Sequence, residues 1–312
     1  MRNSSRMSVD LLSDVLDLVR ARCHLSGRMV AGGTWARRFT NLNAIKFCAA
    51  AKGSCWSFMD GMAEPVRFAD GDVLVMNGTR SLVLASEPNL VAGAANTAFD
   101  RDDDGNYRLG EGEDFVMVSG MVEIDSRRQP LLLGSLPPVI HVGGTEPDAA
   151  NLGWLLQQIV REMQPPSRPG QSMVLAELAQ LLFVQTLRVY LAQGWQEGGG
   201  WLRGLADRRL APALACMHAE PARAWSLEDL AREAGMSRTS FAVHFRKVLG
   251  MPPLTYLTNW RMHLAERDLR AGTSVLEVAA AVGYTSESAF SHAFKRAMGM
   301  APGRYRKAAD LR

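Results

Sequence analysis

The sequence predicts an α+β chain: a β-rich N-terminal barrel, a helical pair behind it, and an all-α C-terminal third. Three observations carry that prediction. Short apolar runs divided by glycine and Asx turns fill residues 35 to about 125, and two segments of helical periodicity follow. Residues 227–256 then reappear, shifted by 49 positions, as residues 276–305. Ten of thirty aligned positions are identical, against roughly two by chance, so this is an internal repeat.

At 312 residues the chain has room for two domains, and 47% hydrophobic with 21% charged residues lets each bury a core. The net charge of +3 divides unevenly, with residues 207–312 at +6 and residues 1–206 at −3. Only the C-terminal part is expected to meet a polyanion. The N-terminus lacks a basic patch followed by an apolar stretch, and no uninterrupted apolar run approaches the roughly 18 residues that span a bilayer. A cytoplasmic protein with no membrane partner is expected.

In chain order, strands are predicted over residues 44–50, 55–59, 66–68, 73–76, 81–85 and 115–124. Asn77-Gly78 reads as a hairpin signal, and Asp60-Gly61 and Asp70-Gly71 mark further turns. Asp100, Asp102, Asp104, Gly105 and Glu111 satisfy the EF-hand loop spacing. The flanks do not read as helices, however, and Arg108 fills the ninth position, so a solvated acidic loop is expected. Residues 152–163 and 173–192 are the helical pair, broken by Pro165, Pro166 and Pro169. Apolar residues cover more than one face of the second helix, which predicts a homodimer seam. A glycine-rich linker over 194–206 then leads into the repeat.

Four cysteines show no C-x-x-C pair and no zinc spacing. Cys23 stands beside His24 and between Arg22 and Arg28, a setting expected to lower its thiol pKa. Cys23, Cys48 and Cys55 are therefore candidates for redox sensing, against the plainer reading that they are buried apolar residues.

Each repeat copy reads as a helix, a sharp turn, a second helix and a glycine stop. In the first copy Leu227, Leu230, Ala231 and Ala234 form the bracing helix, and Ser237 caps the next one. Phe241, Phe245 and Leu249 face inward. In the second, Leu276, Ala279, Ala280 and Gly283 brace, Ser286 caps, and Phe290, Phe294 and Met298 anchor. Residues 254–270 form an amphipathic connector. In a helix-turn-helix the second helix enters the major groove, where base edges differ. Two such units on one chain predict a reader of double-stranded promoter DNA.

The run from Val278 to Arg306, with residues 225–231 and Arg261-Met262, resembles the DNA-binding domain of AraC/XylS-family bacterial transcription regulators. The resemblance implies base-facing positions at Arg238, Thr239, Ala242 and Val243, and at Glu287, Ser288, Ser291 and His292, with the capping Ser286 also at the DNA. It implies phosphate contacts from Arg246, Lys295, Arg296 and Arg304. Residues 45–47, 53–56 and 71–76 resemble the cupin-type ligand-binding domain that heads one branch of that family. The implied organisation is a sensory domain over 1–150, a dimerising pair over 151–193, a linker over 194–206 and a reading domain over 207–312. An activator controlled by a small molecule or oxidant, in contact with RNA polymerase, would follow. Enzymatic cupins gather several histidines on one metal, whereas residues 1–150 hold only His24 and His141. No cofactor, metal or catalytic residue is expected; the alternative is a metal-dependent cupin enzyme fused to a DNA-binding module.

Overall fold

The computed structural model describes residues 10–40, 44–93, 100–101, 106–125, 133, 135–164, 168–194 and 200–309. The chain forms two compact units, Arg20–Gly198 and Met1–Val19 with Gly199–Arg312.

In the first of these, the strands are β1 (Arg22–Gly32), β2 (Ala36–Phe39), β3 (Ile45–Lys52), β4 (Ser54–Met59), β5 (Val66–Ala69) and β6 (Val73–Met76). They continue with β7 (Leu82–Ala85), β8 (Asp100–Arg101), β9 (Tyr107–Gly110), β10 (Phe115–Glu123) and β11 (Val139–Val142). One seven-stranded sheet runs β11-β6-β3-β10-β1-β9-β8, and a four-stranded sheet runs β2-β7-β4-β5. The fold class is the expected one, realised as two open sheets rather than a single closed ladder. Alternation along the strands sends Met29, Cys48, Leu74 and Met117 of the larger sheet into one core with Cys55, Met59 and Leu84 of the smaller. Phe47, Ala49 and Val118 are equally buried from the opposite face, where α2 (Ala150–Glu162) and α3 (Gln171–Ala192) pack.

Periodicity missed β1, β2, β8, β9 and β11, and of these β1 lies between β10 and β9. Arg22, His24 and Ser26 are exposed along it, and the register shift between Leu25 and Gly27 breaks the alternation; His24 Nε2 meets Glu123 Oε2 across the strand pair at 3.2 Å. Asn77-Gly78 is also a correction. It makes a turn, with Asn77 Oδ1 accepting from the Thr79 amide at 3.0 Å, but β6 and β7 belong to different sheets. A dipeptide sets the reversal; partners elsewhere in the chain set the pairing. Of the acidic loop, residues 102–105 lie outside the described residues, and β8 and β9 pair on either side of them.

Asp72 closes the turn before β6. It accepts from the amides of Ala69 at 2.9 Å and Gly144 at 2.8 Å, and lies 3.0 Å from His141 Nε2. Burial alone would raise its pKa, but these hydrogen bonds outweigh it and hold the carboxyl below its ordinary value.

The helix α3 is long and apolar enough, by length and composition, to cross a membrane. Its buried side instead packs on β1 and β11, and Gln180 Oε1 accepts from the Cys23 amide at 3.1 Å. Trp154 on α2 and Met173, Val174 and Leu181 on α3 remain exposed.

The second unit is helical: α1 (Leu11–Val19), α4 (Gly200–Ala206), α5 (Ala211–Ala219), α6 (Leu227–Glu233), α7 (Arg238–Leu249), α8 (Pro253–Arg270), α9 (Val275–Ala281), α10 (Glu287–Met298) and α11 (Pro302–Ala309). By sequence position α1 falls in the expected N-terminal domain. In the structure it packs on α4, α5 and α8, burying Leu11, Leu12, Val15, Leu16, Leu18 and Val19.

Candidate nucleic-acid interface

Both bracing helices begin with a capping box. Ser226 accepts from the Asp229 amide while Asp229 returns to the Ser226 amide, and Ser274 and Glu277 do the same. Both reading helices begin at a serine cap, Ser237 on the Ser240 amide and Ser286 on the Ala289 amide. The cores follow the three-four spacing: Phe241, Phe245, Val248 and Leu249 are buried on α7, and Phe290, Ala293 and Phe294 on α10.

That packing decides what is left outside. On α7, Arg238, Thr239, Val243 and Arg246 are exposed and Ala242 is half-buried. On α10, Glu287, Ser288, His292, Lys295 and Arg296 are exposed, with Ser286 before them, and Ser291 is half-buried. Arg304 on α11 is exposed. Val243 stands 66% exposed among polar neighbours, an arrangement suited to an apolar contact such as a thymine methyl. His244, on the same helix, is half-buried and holds Asp207 at 2.7 Å. Lys247, which is not among the expected phosphate contacts, is also exposed in the last turn of α7.

The repeat is not uniform. The reading helices are related by 49 positions, but the bracing helices are related by 48: Ser226 matches Ser274, Asp229 matches Glu277, and Gly235 matches Gly283. The closing bonds agree, with the Met236 amide on the Ala231 carbonyl and the Tyr284 amide on the Ala279 carbonyl, each at 2.9 Å. The second turn is therefore one residue longer. This corrects the expected second brace: Val278 and Ala279 are buried, whereas Leu276 and Ala280 are exposed. Three apparent identities, Leu227/Leu276, Glu228/Glu277 and Ala231/Ala280, come from the sequence offset and not from structural equivalence.

The connector α8 is a shared spine. Tyr256, Leu257 and Trp260 are buried near its start, and Met262, Ala265 and Leu269 belong to the core of the second reading unit. Two equivalent tyrosines finish the units, each meeting a phenylalanine edge-on, Tyr256 with Phe245 at 5.7 Å and Tyr305 with Phe294 at 5.6 Å. Their hydroxyls have different partners. Tyr305 donates to the buried Glu266, which Arg270 Nη2 meets at 3.3 Å. Tyr256 lies 2.8 Å from His218 Nε2, and the imidazole stacks on Trp260 at 3.7 Å. His218 Nδ1 faces Asp14 of α1 at 3.5 Å, an electrostatic contact. Burial pushes the pKa of His218 down, against the upward pull of Asp14.

A second tie joins the two reading units. Arg261 on α8 donates from Nε to the Pro221 carbonyl at 2.6 Å and from Nη2 to the Arg223 carbonyl at 2.7 Å. The same loop approaches the turn at Gly283, whose backbone has φ of 82°. Two units gripped through one loop and one helix present their reading faces as a fixed pair.

The cysteines correct one expectation. Cys23 is 3% exposed, because strand alternation turns Arg22 and His24 outward and Cys23 inward. Burial pushes the thiols of Cys23 and Cys48 up to about 12, and that of Cys55 up as well. All four cysteines are free thiols.

A cupin family model matches residues 10–192 and a helix-turn-helix domain model matches residues 230–308. A putative AraC-like transcription regulator of Streptomyces lividans is 43% identical over 96% of this chain and 98% of its own length. The chain belongs to the AraC-like transcription regulators. This AraC-like regulator is also 40% identical to a putative AraC-like transcription regulator of Streptomyces antibioticus, over 96% of its own chain and 99% of that relative. Among solved structures, the DNA-binding domain of AdpA, a global transcriptional factor, in complex with a target DNA is 33% identical over 33% of this chain and 92% of that one, with a TM-score of 0.31. The cupin match includes α1, the helix that packs within the reading unit. As an AraC-like regulator the protein binds DNA and regulates transcription.

Proposed function

We propose that this regulator reads an asymmetric promoter half-site with α7 and α10. Arg238, Thr239, Ala242 and Val243 face bases from the first helix, and Glu287, Ser288, Ser291 and His292 from the second, whose cap Ser286 also lies at the DNA. Arg246, Lys295, Arg296 and Arg304 hold phosphates and set register. The observation that carries this reading is that two equivalent, identically capped helices expose different side chains. Selection of bound duplexes from a random library by the full chain tests it. Arg238→Ala and His292→Ala should each relax preference in a different part of the site, at about 1–3 kcal/mol per lost base contact. Unchanged preference in both variants would refute the assignment.

Sensing belongs to residues 1–150 apart from α1, dimerisation to 151–193 and reading to 207–312, joined through 194–206. A signal that alters β1 has a covalent route to the reading unit, because α1 leads into β1 through Arg20, a non-glycine residue with φ of 53°. The signal is a small molecule: three thiols buried with raised pKa values are poor oxidant sensors. The dimer seam includes Val174 and Leu181, exposed seven residues apart on α3. Sedimentation of Leu181→Asp should show a monomer where the natural chain shows a dimer. The protein acts in the cytoplasm as an activator in contact with RNA polymerase, without catalysis of its own. A promoter fusion whose output falls on deletion of the gene supports activation, and one whose output rises refutes it.

A further inference from the structure

Between the two sheets of the N-terminal unit lies a cavity of about 150 Å³. Its walls grade from dry to wet. Met29, Cys48, Met76 and Met117 are buried, whereas Lys46 and Ser119, also in its lining, are half-buried. Strand alternation puts Lys46 and Cys48 on the same side of β3, with Ile45 and Phe47 buried on the opposite side. Lys46 is close enough for its charge to act on the Cys48 thiol.

Among the described residues no carboxylate pairs with Lys46 and no hydrogen bond engages its ammonium group. A cation drawn partly out of water without a counter-charge is costly, and an anion arriving beside it recovers that cost. The inner wall asks for something else. Three methionines offer a flexible, polarisable surface that adapts to hydrocarbon of varied shape and donates no hydrogen bond.

We propose that this cavity takes an amphipathic anion, its hydrocarbon body among Met29, Met76 and Met117 and its single charged head on Lys46. The inference rests on the reading that the N-terminal unit senses a small molecule, and it names the chemistry of that molecule: an aliphatic or aromatic body bearing one carboxylate or similar acid. Ser119, opposite Cys48 across the strand pair, donates its hydroxyl to the Gly27 carbonyl at 3.4 Å, so the charge of the head rests on Lys46. Cations and bodies without charge lack the term that Lys46 adds.

The test is calorimetric titration of the full chain with octanoate, octan-1-ol and octylammonium. Octanoate should bind at least about tenfold more tightly than octan-1-ol, the equivalent of about 1.4 kcal/mol from one partly screened charge pair, and octylammonium should bind weakest. Lys46→Gln should erase the octanoate advantage while leaving octan-1-ol within about twofold, which shows that the cavity itself is intact. The proposal is overturned if octanoate binds no better than octan-1-ol, or if the advantage persists in Lys46→Gln. Equal weakening of both ligands in that variant also overturns it, as does failure of all three probes to saturate. Operator affinity with and without octanoate is a separate readout. An intact anion preference with no change there supports the site and removes the sensing reading.

Discussion

The carbonyl oxygen of Ala222 occupies the place where a side chain on Gly283 would begin: a Cβ on Gly283 would lie 2.3 Å from it. Ala222 belongs to the loop before the first bracing helix and Gly283 to the turn of the second reading unit. Arg261 holds the same loop through the carbonyls on either side of Ala222. Glycine is therefore required at 283 twice, once for its φ of 82° and once for the approach of another backbone.

Gly283→Ala should destabilise the C-terminal unit by about 2 kcal/mol or more, since a positive φ and a backbone collision add. Thermal unfolding of the full chain reads this. Gly235→Ala provides the contrast, because it has φ of 62° but nothing within 4 Å of a built Cβ. It should cost only the backbone strain, about 1 kcal/mol. Equal losses at the two positions would contradict the packing between the units.

Arg261→Gln should leave each reading helix folded but loosen their mutual setting. Binding to a selected two-part operator should weaken, and discrimination against operators with one inserted base pair between the parts should fall. Preserved spacing discrimination would show that the grip on Pro221 and Arg223 is dispensable.

Lys295→Ala and Arg296→Ala should weaken binding about equally across DNA sequences. Each should reduce the slope of log affinity against log salt by about one, the signature of a lost phosphate contact. Titrations at three or more salt concentrations check this.

His218 gives the C-terminal unit a pH dependence. Its folded pKa is held below the ordinary value by burial, so the unfolded chain binds the proton first as pH falls through about 6.5. Stability should therefore be level above neutrality and decline below it. In His218→Gln the decline through that window should shrink, whatever the variant's absolute stability. Melting temperatures between pH 8 and pH 5 decide the point.

Cys23, Cys48 and Cys55 should resist alkylation in the native protein at pH 8 and react on unfolding, because burial keeps them as thiols. Mass-resolved labelling by iodoacetamide measures it. Rapid native labelling of Cys23 would restore the redox reading.

The sequence by itself determined the elements that rest on local chemistry. The apolar phenylalanine spacing on α7 and α10, the Ser237 and Ser286 caps, and the exposed faces opposite them all follow from side chains within one or two turns of each other. Most strands were legible for the same reason, since alternation and turn residues are local signals. Three matters belonged to the tertiary structure. Asn77-Gly78 marked a reversal, yet β6 and β7 found partners in different sheets because strand pairing depends on segments far away in sequence. The one-residue difference between the two turns was masked by identities such as Leu227 and Leu276, which only burial separates: the second of them is 65% exposed. Cys23 looked activated from its neighbours in sequence, but alternation along β1 sends those neighbours to water and the thiol inward. The placement of α1 had no sequence signal at all. An amphipathic helix announces that it must cover an apolar surface, and which surface it covers is settled only when the chain has folded.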